Sequence, residues 1–357
     1  MSPKKKRQHY VPRMLLKNFS TDRKTLGMYS FTAEKLVEKA GFKEQCYENY
    51  LYGKDGTIEN LLAEIEGETA PVFEKLISGK GSRLSIQEKY LIYRFITFQE
   101  NRTMRAINDF NSMADNFAKS ILKEDAKLNG INLDKVTIKP TEPTAFLLKR
   151  AAEEIKVLTD LDIKLLENDT DVDFIISDHP ILMYNYWAER HPKFSEYPFS
   201  ATGVALKGLI IFLPVSPRHL VILYDSVTYK CISQGGFSHK LKNSKDILWI
   251  NRLQAVKAET CLYFKDAKKL GCSFYEYTET RLKGINVSRP TVNESSVRQR
   301  PDGKMSKFVI TNRGDLKIKA QFSFLKVLDN DPYDGYKLAM LPLRDWAWLD
   351  RKEFSEP

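Results

Sequence analysis

The sequence predicts an α+β fold: an N-terminal helical half packed on a small mixed or antiparallel sheet, with a C-terminal β extension. Apolar residues recur at helical spacing through much of residues 57–158, whereas short apolar runs bounded by turn residues take over from Asp162. The two patterns are segregated rather than alternating, which argues against a doubly wound α/β sheet. A polar, turn-rich stretch over residues 284–304 sets a boundary. The main unit therefore covers residues 1–284, helical over 1–160 and sheet-forming over 161–284, and the extension covers 285–357.

Val11 precedes Pro12, so the backbone there should be extended. Pro12 suits the first position of a short helix over 13–19, with His9 just ahead of it. Residues 26–31 and 35–37 read as a hairpin. Ile58, Leu61, Leu62, Ile65, Val72, Phe73 and Leu76 trace one face of a helix over 57–79, which Pro71 should kink or split. Ser85 and Glu88 form a capping box that opens a long helix. Residues 91–98 are apolar almost all round, so this helix should run through the middle of the fold. It turns amphipathic after Arg105 and should end near Lys127, before Asn129-Gly130.

A further helix is expected over 144–158. Strands follow at 162–167, 173–177, 209–214 and 220–224, the last two joined through Pro214-Val-Ser-Pro. Asn243 caps a helix over 244–259, and 261–264 reads as a strand. Beyond the boundary, 308–310, 316–320 and 322–327 suggest the β extension. There is no internal repeat.

The 357 residues are 42% hydrophobic and 29% charged, a soluble globular composition rather than a disordered one. No stretch reaches the roughly 18–20 apolar residues that cross a bilayer, and Met1-Ser-Pro-Lys-Lys-Lys-Arg lacks the apolar core of a secretory signal. A cytoplasmic protein without membrane contact is expected. Cys46, Cys231, Cys261 and Cys272 form no C-x-x-C pair, which argues against a disulfide framework and a cysteine zinc site. Lys+Arg 56 against Asp+Glu 46 gives +10, a balance that favours polyanions such as nucleic acid. Phosphate-loop, dinucleotide-binding, H-E-x-x-H and G-x-S-x-G signatures are missing.

Arg7-Gln-His-Tyr-Val-Pro-Arg with Leu16-Lys-Asn-Phe, followed much later by Phe174-Ile-Ile-Ser-Asp-His-Pro, resembles the domain of unknown function 4238 family. Ile58-Glu59, Ile65-Glu66, Gln99 with Arg102, and Ile250-Asn251 are similar to its pattern too. The likeness runs over roughly residues 7–265. The family often carries Asn where His179 stands. No activity comes with the resemblance, which implies only that these separate segments converge.

His9 lies in an extended segment without apolar periodicity, where it could be a general base, a metal ligand, or a tie to neighbouring backbone. Glu59 and Glu66, seven apart, share a helix flank and could help hold a divalent cation, or could be salt-bridging surface residues. They lie about 10 Å apart along the axis, so one ion would need long reach from both. Asp178 closes a strand before His179-Pro180 and could be a base, a metal ligand or a turn cap. Ser177, Asp178 and His179 cannot form a nucleophilic triad, because neighbours on a strand point to opposite faces. Arg102 could pair with Glu59 or Glu66, or grip a phosphate.

The expected function is a phosphodiester-cleaving nuclease acting on DNA or RNA, of a kind that would suit antiphage defence. His9, Glu59, Glu66 and Asp178 form the candidate catalytic set, with Glu59, Glu66 and Asp178 as ligands if Mg or Mn is used. Arg7, Gln8, Arg13, Gln99, Arg102, His179 and Asn251 are the candidate substrate contacts. The alternative is a non-catalytic nucleic-acid-binding or interaction protein whose polar motif residues form a buried network.

Overall fold

The computed structural model describes residues 6–79, 83–123, 131–191, 200–232, 236–283, 291–299, 305–312, 318–328 and 342–345. The chain is α+β. It opens with β1 (Arg7–His9), α1 (Arg13–Asn18), the hairpin β2 (Thr25–Ser30) and β3 (Lys35–Gly41), and β4 (Tyr47–Asn49). Helices α2 (Thr57–Ile77), α3 (Ile86–Asn101), α4 (Met104–Leu122) and α5 (Pro143–Glu154) follow. The sheet half holds β5 (Asp162–Asn168), β6 (Ile176–Ser177), β7 (Leu182–Tyr184), α6 (Tyr186–Arg190), β8 (Ile210–Ser216), β9 (His219–Tyr224), β10 (Tyr229–Cys231) and β11 (Ser238–Leu241). The last elements are α7 (Ser244–Lys257), β12 (Cys261–Phe264), α8 (Phe274–Leu282), β13 (Thr291–Gln299), β14 (Met305–Asn312) and β15 (Leu325–Val327).

The central sheet has the order β11-β5-β9-β8-β7, mixed because β11 runs parallel to β5. Alternate residues of its strands feed two cores. Ile211, Leu213, Val221 and Leu223 face the helical half, while Ile210, Phe212, Leu220 and Ile222 face α7 and residues 318–325. Burial on both faces explains why 209–215 is apolar without alternation. A second sheet, β3-β2-β12-β6, joins the N-terminal hairpin to strands more than a hundred residues later. No helix among the described residues is long and apolar enough to cross a membrane.

Several expectations shift. Pro71 neither splits nor ends α2, which runs unbroken through it. Leu62 and Ile65 before the proline, and Val72, Phe73 and Leu76 after it, sit in one core, and that shared burial outweighs one lost backbone hydrogen bond. The long helix expected from Ser85 is two helices. The Ser85–Glu88 capping box is present, but α3 ends at Asn101 and Thr103 caps α4 by accepting from the Ala106 N–H. Beyond the boundary, β15 pairs with β10, and Ile318, Phe322, Phe324 and Leu325 belong to the sheet's core, so this segment is integral to the sheet half. β13 lies within the stretch read as turn-rich. The expected strand at 316–320 falls partly outside the described residues, and 318–320 is not a strand.

Candidate active site

The first site element is β1, held by antiparallel pairing with β4 in the register Arg7↔Asn49, Gln8↔Glu48, His9↔Tyr47. Alternation along the strand turns Gln8 inward, while Arg7 and His9 remain accessible. Gln8, 1% exposed, accepts from the Tyr52 N–H at 2.6 Å and donates to the Gly53 carbonyl at 2.9 Å. Its amide therefore fastens the strand to the loop before α2. Gln99 on α3 donates to the Tyr10 carbonyl at 2.9 Å and accepts from Arg102 Nε at 2.8 Å. Arg102, 2% exposed, donates through Nη1 to Glu66 Oε1 at 2.8 Å. Tyr52 Oη donates toward the His9 and Arg102 carbonyls, each at 3.3 Å. A continuous polar chain thus ties the N-terminal strand to α2 and α3.

The exposed end of this chain is a cavity of about 120 Å³ lined by Arg7, His9, Arg13, Glu59, Ala63 and Glu66. Glu59, Ala63 and Glu66 follow each other at four and three residues on α2, so they share one face, and the small Ala63 leaves room between the carboxylates. His9 Nε2 lies 3.2 Å from the Lys43 carbonyl and 3.4 Å from Arg13 Nε. The Lys43 carbonyl can only accept and so calls for a proton on Nε2, whereas the Arg13 Nε–H calls for a bare Nε2; the neutral ring satisfies one of these two contacts at a time. Burial and then the Arg13 guanidinium hold the His9 pKa below the ordinary value, against the Lys43 carbonyl and Glu66, which raise it. Burial and Arg13 thus favour the neutral imidazole, the form suited to take a proton. Arg7 is paired with Glu44 at 2.6 Å and lies over the Tyr47 ring, 4.9 Å from its centroid.

Asp178 lies elsewhere. Its Oδ1 accepts from the Glu259 N–H at 2.8 Å, and Oδ2 accepts from the Thr260 N–H and hydroxyl at 2.7 Å and from the Cys261 N–H at 3.1 Å. Burial pushes its pKa up, while these hydrogen bonds act in the opposite sense. The expected Glu59–Glu66–Asp178 ligand set does not assemble, and no group of three His, Cys, Asp or Glu residues among the described ones is placed to hold a metal ion. The physical reason is that Asp178 is consumed in fixing the turn between α7 and β12. Glu59 and Glu66 remain the carboxylates that could share an ion with substrate and water oxygens. Asn251, 0% exposed, donates to the Asp173 carbonyl at 2.9 Å and accepts from the Ile175 N–H at 3.1 Å. This candidate substrate contact is instead a buried tie holding β6.

His179 belongs to a second constellation. Its Nδ1 lies 2.5 Å from Thr103 Oγ1, and its Nε2 lies 3.0 Å from Glu100 Oε2. Because Thr103 Oγ1 accepts from the Ala106 N–H, its own proton is free to be donated to Nδ1. Glu100, His179, Arg150 and Lys257 line a cavity of about 60 Å³. Sequence reasoning missed Glu100 and Thr103. Their signal is Gln99-Glu-Asn-Arg-Thr, five successive polar residues directly after the most apolar helix segment, all of them buried.

The fold and these ties define an α+β protein with a His–Arg–Glu pocket built between an N-terminal strand and α2. The chain belongs to the family described as Protein of unknown function (DUF4238), which matches residues 7–268 and so includes both constellations. No curated protein and no solved structure matches the chain significantly.

Proposed function

We propose that the protein is a phosphodiester-cleaving nuclease whose chemistry takes place at His9. One observation carries this reading: a histidine whose pKa burial and Arg13 lower opens into a cavity shared with two arginines and two glutamates. A base beside cations suits removal of a proton from water or a ribose hydroxyl while Arg7 and Arg13 neutralise the phosphate. The cavity of about 120 Å³ is below the roughly 300–1,000 Å³ of pockets that engulf drug-sized ligands. It fits one phosphate group of an extended chain better than a whole nucleotide. The net charge of +10 favours a polyanionic partner. Arg102, Gln99 and Gln8 then act as positioning residues.

A second reading has an observation of its own. Gln8, Gln99 and Arg102 spend their hydrogen bonds inside the protein, as expected for a non-catalytic nucleic-acid-binding or interaction protein with a buried polar network. The test is cleavage of single- and double-stranded DNA and RNA with Mg²⁺, Mn²⁺ or EDTA, beside His9→Ala. Cutting that is lost in a variant with unchanged melting supports the nuclease and names its substrate and metal requirement. Binding without turnover under every condition supports the second reading. Plating phage on cells expressing the chain or His9→Ala tests the antiphage role that goes with the first.

A further inference from the structure

We propose that the groove between α7 and α8 binds one nucleotide unit of a single-stranded nucleic acid, with its base stacked on Trp249 and its phosphate held by Arg252 and Lys245. This rests on the reading of the protein as acting on nucleic acid, and adds a place where the strand is gripped away from His9. The groove has a volume of about 380 Å³, and among the described residues it shares no lining residue with the His9 pocket. Unlike that pocket, it is large enough for a nucleotide.

The sequence builds one wall directly. Lys245, Leu248, Trp249 and Arg252 fall at intervals of three, one and three on α7, so they form one face of the helix. The opposite face, with Ile247, Ile250 and Leu253, is in the sheet's core. The Arg252 guanidinium lies 5.6 Å from the Trp249 ring centroid, which combines a flat aromatic surface with a cation. Such a pair suits a ligand that is both aromatic and anionic.

The other wall contains a group without a partner. Tyr277 on α8 is 2% exposed, and its ring packs edge-on against Phe274 at 5.4 Å. Tyr277 lines the groove, yet its hydroxyl makes no hydrogen bond among the described residues. Burial alone drives its pKa up, with no donor or charge acting against it. Arg252 Nε is likewise buried without a hydrogen-bond partner there. Both atoms are shielded in the unliganded groove, so a polar ligand relieves the cost of leaving them unsatisfied only by drawing the Tyr277 hydroxyl and the Arg252 Nε toward it. Among the described residues lining the groove, Glu276 is the one carboxylate, set against the two cations Lys245 and Arg252. Bases of a single strand are free to stack on an aromatic surface, whereas those of a duplex are stacked on each other, so a single strand is the fitting occupant.

The experiment titrates full-length His9→Ala protein with labelled oligo-U, oligo-dT, a duplex of equal length, and UMP. Single strands should bind with strong salt dependence and in preference to the duplex. Trp249→Ala should weaken binding roughly tenfold, and Tyr277→Phe roughly threefold without lowering the melting temperature. If Trp249→Ala fails to fold, Arg252→Gln reads the phosphate contact and should also weaken binding. Unchanged affinity in the folded variants overturns the proposal. So does UMP binding as tightly as the strand, which would make the occupant a free nucleotide. Strand cleavage by the wild type with no Trp249-dependent binding overturns the groove alone. Trp249-dependent binding without any cleavage keeps the groove and removes the nuclease.

Discussion

Arg102 donates to Glu66 at 2.8 Å from the position directly after the last residue of α3, and its Nε simultaneously holds Gln99 at 2.8 Å. The guanidinium joins α2 to α3 and, through Gln99, to the backbone of Tyr10. Replacing it by leucine leaves Glu66 and the Gln99 carbonyl oxygen without this donor. Arg102 is 2% exposed while the Glu66 side chain is 28% exposed, so solvent compensates only one end. Arg102→Leu should lower stability by about 3 kcal/mol in urea unfolding. A double-mutant cycle with Gln99→Ala should give a coupling of roughly 0.5–3 kcal/mol. Zero coupling would mean the two side chains do not act as one unit.

The lowered pKa of His9 fixes the direction of the pH dependence. The base form persists below the ordinary histidine pKa of about 6.5. The acid limb of kcat/KM for cleavage should therefore have its midpoint below that value. Arg13→Gln removes a neighbour that lowers the pKa and should move the midpoint upward. Glu66→Gln removes one that raises it and should move it downward. Shifts in the reverse order would assign the limb to another group.

The same shift enters stability. An unfolded chain protonates His9 more readily than the folded one, so its contribution is fully present above about pH 6.5. That contribution is lost as pH falls through the lower folded value. His9→Asn should remove this component of the acid dependence, read from melting curves recorded between about pH 5 and about pH 7. An unchanged acid dependence would assign it to other groups.

Asp178→Asn separates a structural from a catalytic carboxylate. The amide presents an NH₂ group to backbone donors of Glu259, Thr260 and Cys261 that the carboxylate accepts from. Each donor left unsatisfied costs about 1–3 kcal/mol, so the melting temperature should fall. Cleavage per folded molecule should be retained. Loss of cleavage at unchanged melting would return Asp178 to the chemistry.

Much of the architecture was legible in the sequence because local signals carried it. The Ser85–Glu88 capping box, the Asn243 cap and the strand pair around Pro214-Val-Ser-Pro are each set by residues a few positions apart. The Arg7-Gln-His-Tyr-Val-Pro-Arg segment likewise pointed to His9. Local signals misled at Pro71, where packing of both helix halves on one core outweighs the lost hydrogen bond.

Which polar residues meet was decided by the tertiary structure. The Asp178, Glu66 and Asn251 side chains are all polar and come from segments that resemble one family pattern, yet Glu66 reaches the His9 cavity while Asp178 caps a turn and Asn251 ties β6. Glu100 and Thr103 acquire a role only when the break between α3 and α4 brings them to His179, seventy-six residues beyond Thr103. The period and the caps of each segment were determined by the sequence alone, because those depend on neighbours along the chain. The convergence of Arg13, Glu66 and His9 depends on how three elements pack, and packing energy is shared among residues distant in sequence.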